Sequence, residues 1–255
     1  MYQIDPKLEL HHAWTSSASR RVRFTLEEKE LPYNSILLDL FKFEQHSPKY
    51  LRLNPNGWVP TLVHNGHPII ESSIICEYLD EVFPDNSLRP HDPHALARMR
   101  VWSKWVDEVV IRAFQVASWN TFRGPTASRM SDEELAQVLQ SIPVPDRRED
   151  WRRIAREPFS ETDIEHALAN IRCTLDRMES DLSSSPWLAG ESFSLADIHL
   201  SPYIVRIDEH AERGILLAEY PHCEDWWNRL KLRPAIIRAK IEPISFESNV
   251  DVALI

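Results

Sequence analysis

The run TLVHNGHPIIE, from Thr61 to Glu71, constrains this chain more than any other stretch. Asn65-Gly66 stands between two apolar segments, and a tight turn there needs two residues that tolerate positive φ. The pattern therefore predicts a two-stranded hairpin. Glycine is scarce, 5 in 255 residues, so the turn chemistry is selective rather than incidental. Upstream, LELHHAW (Leu8 to Trp14) is strand-compatible, and PYNSILLDL reads as a second, buried strand. Between them, SSASRRVRFTLEEKELP opens with serines suited to capping and continues with helix formers. Ala18, Val22 and Leu26 recur at i, i+4 and i+8, on one helical face. After the hairpin, Ile74, Ile75, Tyr78, Leu79 and Val82 keep a helical period and are expected to bury one face.

The order β-α-β, then β-β-α, is the layout of a thioredoxin-like domain, expected over residues 1–86. Pro84 to His94 (PDNSLRPHDPH) is turn-rich and reads as a linker. Beyond it, over 95–255, the period is helical throughout, with helices expected at about 162–183, 194–212 and 221–241. The charged, proline-interrupted RMSDEELAQVLQSIPVPDRREDWRRIAREPFSETD reads as a helical excursion on the surface. The expected fold class is α/β plus all-α: a thioredoxin-like domain followed by a helical bundle.

Composition narrows the function. With 43% hydrophobic and 27% charged residues the chain can bury a real core. A formal net charge of -10 disfavours nucleic acid or an anionic membrane as main partner. Cys76, Cys173 and Cys223 are sparse and unpaired in spacing, which suits a reducing compartment. MYQIDPKLEL has neither a basic nor an apolar leader region, and no apolar run reaches a membrane span, so the expectation is cytoplasmic without membrane insertion. No metal is expected. His11 and His12 alternate on a strand, His64 and His67 flank the hairpin turn and read as solvated, and His199 and His210 are about three helical turns apart. Cys76 reads as packed core.

Three segments carry chemistry. In Trp58-Val59-Pro60 the proline precedes a strand, so it is either a trans strand-starter or a cis X-Pro bond. In the second case the Val59 N–H and C=O face sideways and can pair with an extended peptide. At Glu71-Ser72, either Ser72 or Ser73 suits the helix N-cap. The helix start also binds a carboxylate, and Glu71 beside it can hold an ammonium group. Together they suit the zwitterionic end of an amino acid. The third segment, Trp14 to Arg21, places hydroxyls at a strand–helix junction. They serve as an N-cap or as hydrogen-bond donors to a thiolate. Lowering a thiol pKa from about 8.5 by two units requires roughly 2.7 kcal/mol of differential stabilisation.

From the serine-bearing junction through NPNGWVPTL to ESSIICEYL, the sequence resembles the glutathione transferase superfamily. SFSLADIHLSPYI (Ser192 to Ile204) is similar to that family's buried capping-box helix, with Ser194 and Asp197 as a structural pair. KFEQHSPKYLRLNPNGWVPTL, ICEYLDEVFP, NSLRP, MRVWSKWVDE and MSDEELAQVL…IPVPDRREDWRR resemble the bacterial glutathione-dependent β-aryl etherases of lignin breakdown. The resemblance covers nearly the whole chain. It implies glutathione as co-substrate, with cis Pro60 and Val59 pairing with its cysteinyl backbone beside Trp58. Glu71 and Ser72 would hold the γ-glutamyl end, and Lys42, Gln45 or His46 the glycyl carboxylate. Ser16 would be the thiolate-stabilising hydroxyl, with Ser19 its nearest rival and Ser17 also in reach. The junction TSSASRRVR departs from the etherases, which carry a Gly/Asn-containing loop. It looks more like the serine-type transferases, including the zeta class, which has a cysteine and a tryptophan where Ala18 and Arg20 stand.

The implied reaction is thiolate attack on the carbon bearing an aryloxy group next to a ketone, with phenolate departure. Trp14, Phe114, Trp119 and Phe122 are the expected walls of an aromatic substrate pocket, with Trp119 foremost. Trp105 and Met130 read as pocket or bundle core. Alternatives are a zeta-like cis–trans isomerase of a maleyl compound, with Arg20, Arg21 and Arg23 near the thiol, and a non-catalytic carrier of glutathione or a hydrophobic ligand. The family also implies a homodimer.

Overall fold

The computed structural model describes residues 7–243. The outer ends of the two expected domains, 1–6 and 244–255, and most of MYQIDPKLEL lie outside them. The first unit opens with β1 (Leu8–His12), α1 (Ser17–Glu28) and β2 (Asn34–Leu37), which is shorter than the sequence pattern predicts and, as an edge strand, mostly exposed rather than buried as expected. A single-turn helix, α2 (Pro48–Leu51), leads to β3 (Thr61–His64), β4 (His67–Ile70) and α3 (Ser72–Val82). The sheet runs β2-β1-β3-β4, with β1 and β2 parallel and the other pairs antiparallel. Asn65 at φ 51° and Gly66 at φ 84° make the expected tight hairpin turn, both central residues left-handed.

α1 is enclosed rather than amphipathic. It packs on α3 and on two helices of the second unit, and Val22, Phe24 and Leu26 are fully buried. Its arginines are buried too, which the apolar period alone does not reveal. On α3, Ile75, Cys76 and Leu79 face the core, whereas Ile74 and Val82 stay exposed, a correction to the expected apolar face. His64 is also not simply solvated, since its Nδ1 meets the Tyr78 hydroxyl at 2.8 Å. Asp80 anchors the connector: its carboxylate receives the Lys29 ammonium at 2.8 Å, the Leu88 N–H at 2.7 Å and Arg89 Nε at 2.9 Å.

The second unit comprises α4 (Pro93–Trp105), a π-helical turn (Val106–Val110), α5 (Ile111–Phe122), α6 (Gly124–Ala127), α7 (Asp132–Ser141) and α8 (Pro145–Arg156). Then follow α9 (Glu161–Leu182), α10 (Leu195–Ile204), α11 (Pro221–Lys231) and α12 (Pro234–Arg238). The charged excursion becomes α7 and α8, opened by a Ser131–Glu134 capping box and by Pro145 at the first turn. The predicted helix at 194–212 ends at Ile204 and continues as 3₁₀ turns from Ile207. The one at 221–241 breaks before Pro234, which cannot continue a helix. α10 is buried along its length, and Ser194 and Asp197 form the expected capping box. Asp197 also accepts the Trp226 indole N–H at 2.8 Å, and its burial raises its pKa. Among the described residues, no helix is long and apolar enough to cross a membrane.

Candidate active site

Strand register brings three distant segments to one end of the sheet. β1 and β3 are antiparallel with His11 opposite Thr61, so the exit of β1 at Trp14–Ser16 lies beside Val59–Pro60 at the entry of β3. Thr61 is also opposite Ile70, so Glu71–Ser72 joins the same end.

Ser16 caps α1. Its Oγ accepts the Ser19 N–H at 3.2 Å, and among the described residues its own O–H finds no acceptor. Capping and donation to a ligand are thus compatible roles, since the cap uses a lone pair and leaves the proton. The neighbouring hydroxyls sit differently. Ser17 donates to the Pro202 carbonyl at 3.4 Å. Ser19 is fully buried, and its Oγ accepts the Ala13 N–H at 3.4 Å. Arg20, Arg21 and Arg23 are buried as well, Arg20 and Arg23 on the Trp14 carbonyl and Arg21 on Ser72 and Asp107.

The Val59–Pro60 peptide bond is cis. The residues around it are fixed by neighbours. Trp58, itself exposed, has a carbonyl that accepts the Tyr50 hydroxyl at 2.5 Å and the Asn54 side-chain amide at 2.9 Å. Tyr50 also meets Thr61 Oγ1 at 2.8 Å. Among the described residues, the Val59 N–H and C=O have no hydrogen-bond partner. Gly57 sits at φ 65°, and a Cβ there would lie 2.8 Å from the His46 ring and 3.3 Å from the Gln45 carbonyl. The NPNG turn therefore nests against the Gln45–His46 segment because only glycine fits.

α3 begins differently from the serine cap expected. Glu71 is the N-cap, at φ 67° with no capping side-chain bond, and Asn56 reaches its Oε1 at 3.5 Å. A non-glycine residue held there is strained, and such strain gathers at ligand sites. Ser72 is buried and accepts Arg21 Nη1 at 3.0 Å. The same Nη1 donates to Asp107 at 2.6 Å, and Ser73 donates to the other Asp107 oxygen at 2.6 Å. Burial alone would lower the Arg21 pKa, but Asp107 holds it above the ordinary value. Asp107 comes from the helical unit, so the second unit braces the helix start. Sequence reasoning missed this pair, because nothing local connects residues so far apart.

Among the glycyl-carboxylate candidates, Lys42 is the exposed cation, its side chain 72% exposed and 3.4 Å from Asp39. Gln45 is buried with Oε1 unpartnered. His46 is buried, and burial together with the nearby Arg147 pushes its pKa down to about 4. It is neutral at pH 7 and offers hydrogen bonds only.

The expected pocket residues do not converge. Phe114 is core, 5.5 Å from Tyr203 and 5.6 Å from His210 by ring centroids. Trp14 packs between Arg23 and Lys240, on the side of α12. Phe122 is part-buried at the end of α5. Trp105 is tied to Thr174 in the bundle. Met130 borders a shallow hollow of about 340 Å³ with Thr126, Arg129 and Val138. Trp119 packs 6.0 Å from Trp151, which in turn packs 4.9 Å from Phe43. α7 and α8 thus close over the loop before α2, where Ser141 also meets His46 at 3.5 Å.

A thioredoxin-like unit with a peptide-facing loop, an open helix-cap hydroxyl and a helical partner domain defines a thiol-binding class of proteins. Comparison with known proteins makes the assignment specific. The family model for the glutathione S-transferase N-terminal domain matches residues 6–81, and that for the C-terminal domain matches 136–234. The chain belongs to the glutathione S-transferase family, enzymes whose co-substrate is glutathione. Protein LigF of Sphingobium sp. strain SYK-6 is 36% identical over 239 residues, covering 90% of this chain and 91% of that one. Arabidopsis thaliana glutathione S-transferase F14 is 29% identical over 245 residues, covering 93% and 84%. The crystal structure of beta-etherase LigF from the same Sphingobium strain superposes with a TM-score of 0.85 at 34% identity, covering 92% and 98%. The theta class enzyme of Xanthomonas axonopodis pv. citri, solved with glutathione bound, gives a TM-score of 0.70 at 25% identity, covering 94% and 100%.

Proposed function

We propose that this enzyme cleaves β-aryl ethers of lignin-derived α-keto aromatics with glutathione. The observation that carries the reading is a similarity to a beta-etherase that runs through both units and 92% of the chain. The α1 cap supports it, since Ser16 offers an unspent O–H at a helix start, where a thiolate is favoured. Val59 pairs with the cysteinyl backbone of glutathione, and Glu71 with Ser72 receives its γ-glutamyl end. Lys42, Gln45 or His46 receives the glycyl carboxylate. The glutathione sulfur attacks the carbon bearing the aryloxy group, the C–O bond breaks, a phenolate leaves and a thioether remains. The adjacent ketone activates that carbon, and the enzyme contributes thiolate stabilisation and alignment.

Ile74 and Val101, 57% and 51% exposed on α3 and α4, support the homodimer expected of the family. Three free cysteines suit the reducing cytoplasm. The units divide in the Pro84 to His94 connector, into 1–86 and 95–255. Incubating each enantiomer of a β-aryl ether ketone with enzyme and glutathione tests the reading. Glutathione-dependent phenol release from one enantiomer is the expected result. No release from either, with glutathione still bound, overturns it. Glutathione binding with no rate effect of Ser16→Ala would point to a carrier.

A further inference from the structure

Two arginines where α5 and α8 meet are held against aromatic rings without anions of their own. Arg123 is only 9% exposed, its guanidinium carbon 4.5 Å from the Phe41 ring centre and 6.0 Å from that of Trp151. Its Nη1 is buried and has no acceptor among the described residues. Arg147, part-buried, lies 4.0 Å over Trp119. Neither forms an ion pair with a described residue. The carboxylates nearby are committed elsewhere. Asp150 accepts Arg112 Nη1 at 2.6 Å and Gln115 Nε2 at 3.1 Å through one oxygen. Asp39 caps the backbone N–H groups of Phe41 and Lys42 and pairs with the Lys42 ammonium. Three guanidiniums, those of Arg112, Arg123 and Arg147, therefore share two carboxylates, one of which already serves a lysine.

A buried cation short of counter-charge is costly to keep. Burial pushes Arg123 down to about 10, and burial with the Arg123 charge pushes Arg147 down to about 9. The ring faces attract the guanidinium planes but leave in-plane N–H donors unused. What the group lacks is a planar anion beside an aromatic ring, next to the Phe43–His46 segment of the glutathione loop.

We propose that Arg123 and Arg147 receive an oxyanion carried on the ring of the aromatic substrate, beside the part-buried Phe41. The guanidinium fork suits a carboxylate, which takes two parallel N–H bonds, while a phenolate takes the charge-assisted N–H bonds through its single oxygen. A phenol para to a ketone is unusually acidic, because the carbonyl delocalises the charge. For the identity of the substrate this rests on the etherase reading. The binding chemistry does not.

The test is equilibrium binding of three aryl ketones to the glutathione-loaded enzyme, read by tryptophan fluorescence. 4-Acetylbenzoate supplies the carboxylate, 4-hydroxyacetophenone above its own pKa the phenolate, and 4-methoxyacetophenone the neutral comparison. Either anion is expected to bind about tenfold tighter or more than the neutral ketone. Arg147→Gln should erase that preference without changing glutathione affinity, and Arg147→Lys should restore part of it. Because Arg147 is part-exposed, its variants carry the test even if Arg123→Gln fails to fold. No preference in the parent enzyme, or equal weakening of anionic and neutral ketones by Arg147→Gln, overturns the proposal. A loss of glutathione affinity alone also overturns it, assigning the pair to glutathione. Absent phenol release with the preference intact would sink the etherase activity and leave this site standing.

Discussion

Asp107→Asn isolates the brace between the two units. Arg21 has no exposed side-chain surface, whereas Asp107 is 37% exposed, and the two meet at 2.6 Å. Among the described residues the Arg21 Nε and Nη2 have no acceptor, so Asp107 is its one charge partner there. Breaking a buried pair by removing one charge costs about 3–5 kcal/mol, because the other is left uncompensated. Water can reach the Asp107 side and soften that loss, so the expected destabilisation is about 2–3 kcal/mol. Removing the cation as well, in Asp107→Asn with Arg21→Met, should recover at least about 1 kcal/mol, since no orphan charge remains. Urea unfolding measures both, provided the slope m is unchanged so that midpoints report stability. The KM for glutathione should rise in Asp107→Asn, because Ser72 and Ser73 lose the contacts that place the α3 start. A single variant within about 0.5 kcal/mol of the parent, or a double variant worse than either single, would refute the reasoning.

Gly57→Ala combines a left-handed φ with a 2.8 Å approach to the His46 ring. It should cost about 2 kcal/mol, or roughly 4–8 °C in thermal midpoint for a chain this size. Acid should destabilise the fold through buried neutral histidines. Burial, with the Arg23 and His11 charges, holds His12 near about 3, and burial with Arg147 holds His46 near about 4. Both lie below the unfolded value of about 6.5, so between that value and the folded one only the unfolded chain gains the proton. Their stabilisation is complete above the unfolded value and falls as pH drops from about 6.5, by roughly 1.4 kcal/mol per pH unit for each histidine. Replacing His46 with Gln should flatten the urea midpoint's dependence on pH between 6 and 4.5, and an unchanged slope would count against it.

The hairpin, the element order and the capping box at Ser194 were legible because each is written in neighbouring residues. The sheet end was legible for the same reason, since register follows from the hairpin. Glu71 as a strained cap was not, because glutamate at positive φ has no local signature. The aromatic residues were the hardest to place. Phe114 and Trp119 share a helix and are both buried, and only distant partners, Tyr203 for one and Trp151 for the other, decide which lies toward the Phe43–His46 segment. Arg123 and Arg147 were invisible as functional groups, and Arg21 was read only as a cation near the thiol, because a charged residue in a helical pattern reads as a solvated face. Their surroundings are set by elements far along the chain, Asp107 for Arg21, Trp151 of α8 for Arg123 and Trp119 of α5 for Arg147.

The most direct measurement is the thiol pKa of enzyme-bound glutathione, followed by the ultraviolet absorbance of the thiolate, in the parent chain and in Ser16→Ala. The account requires the bound thiol to titrate well below the free value of about 8.5, and Ser16→Ala to raise it by about one to two units, with Ser19→Ala moving it little where that variant folds. A thiol that titrates alike with and without the Ser16 hydroxyl would contradict it.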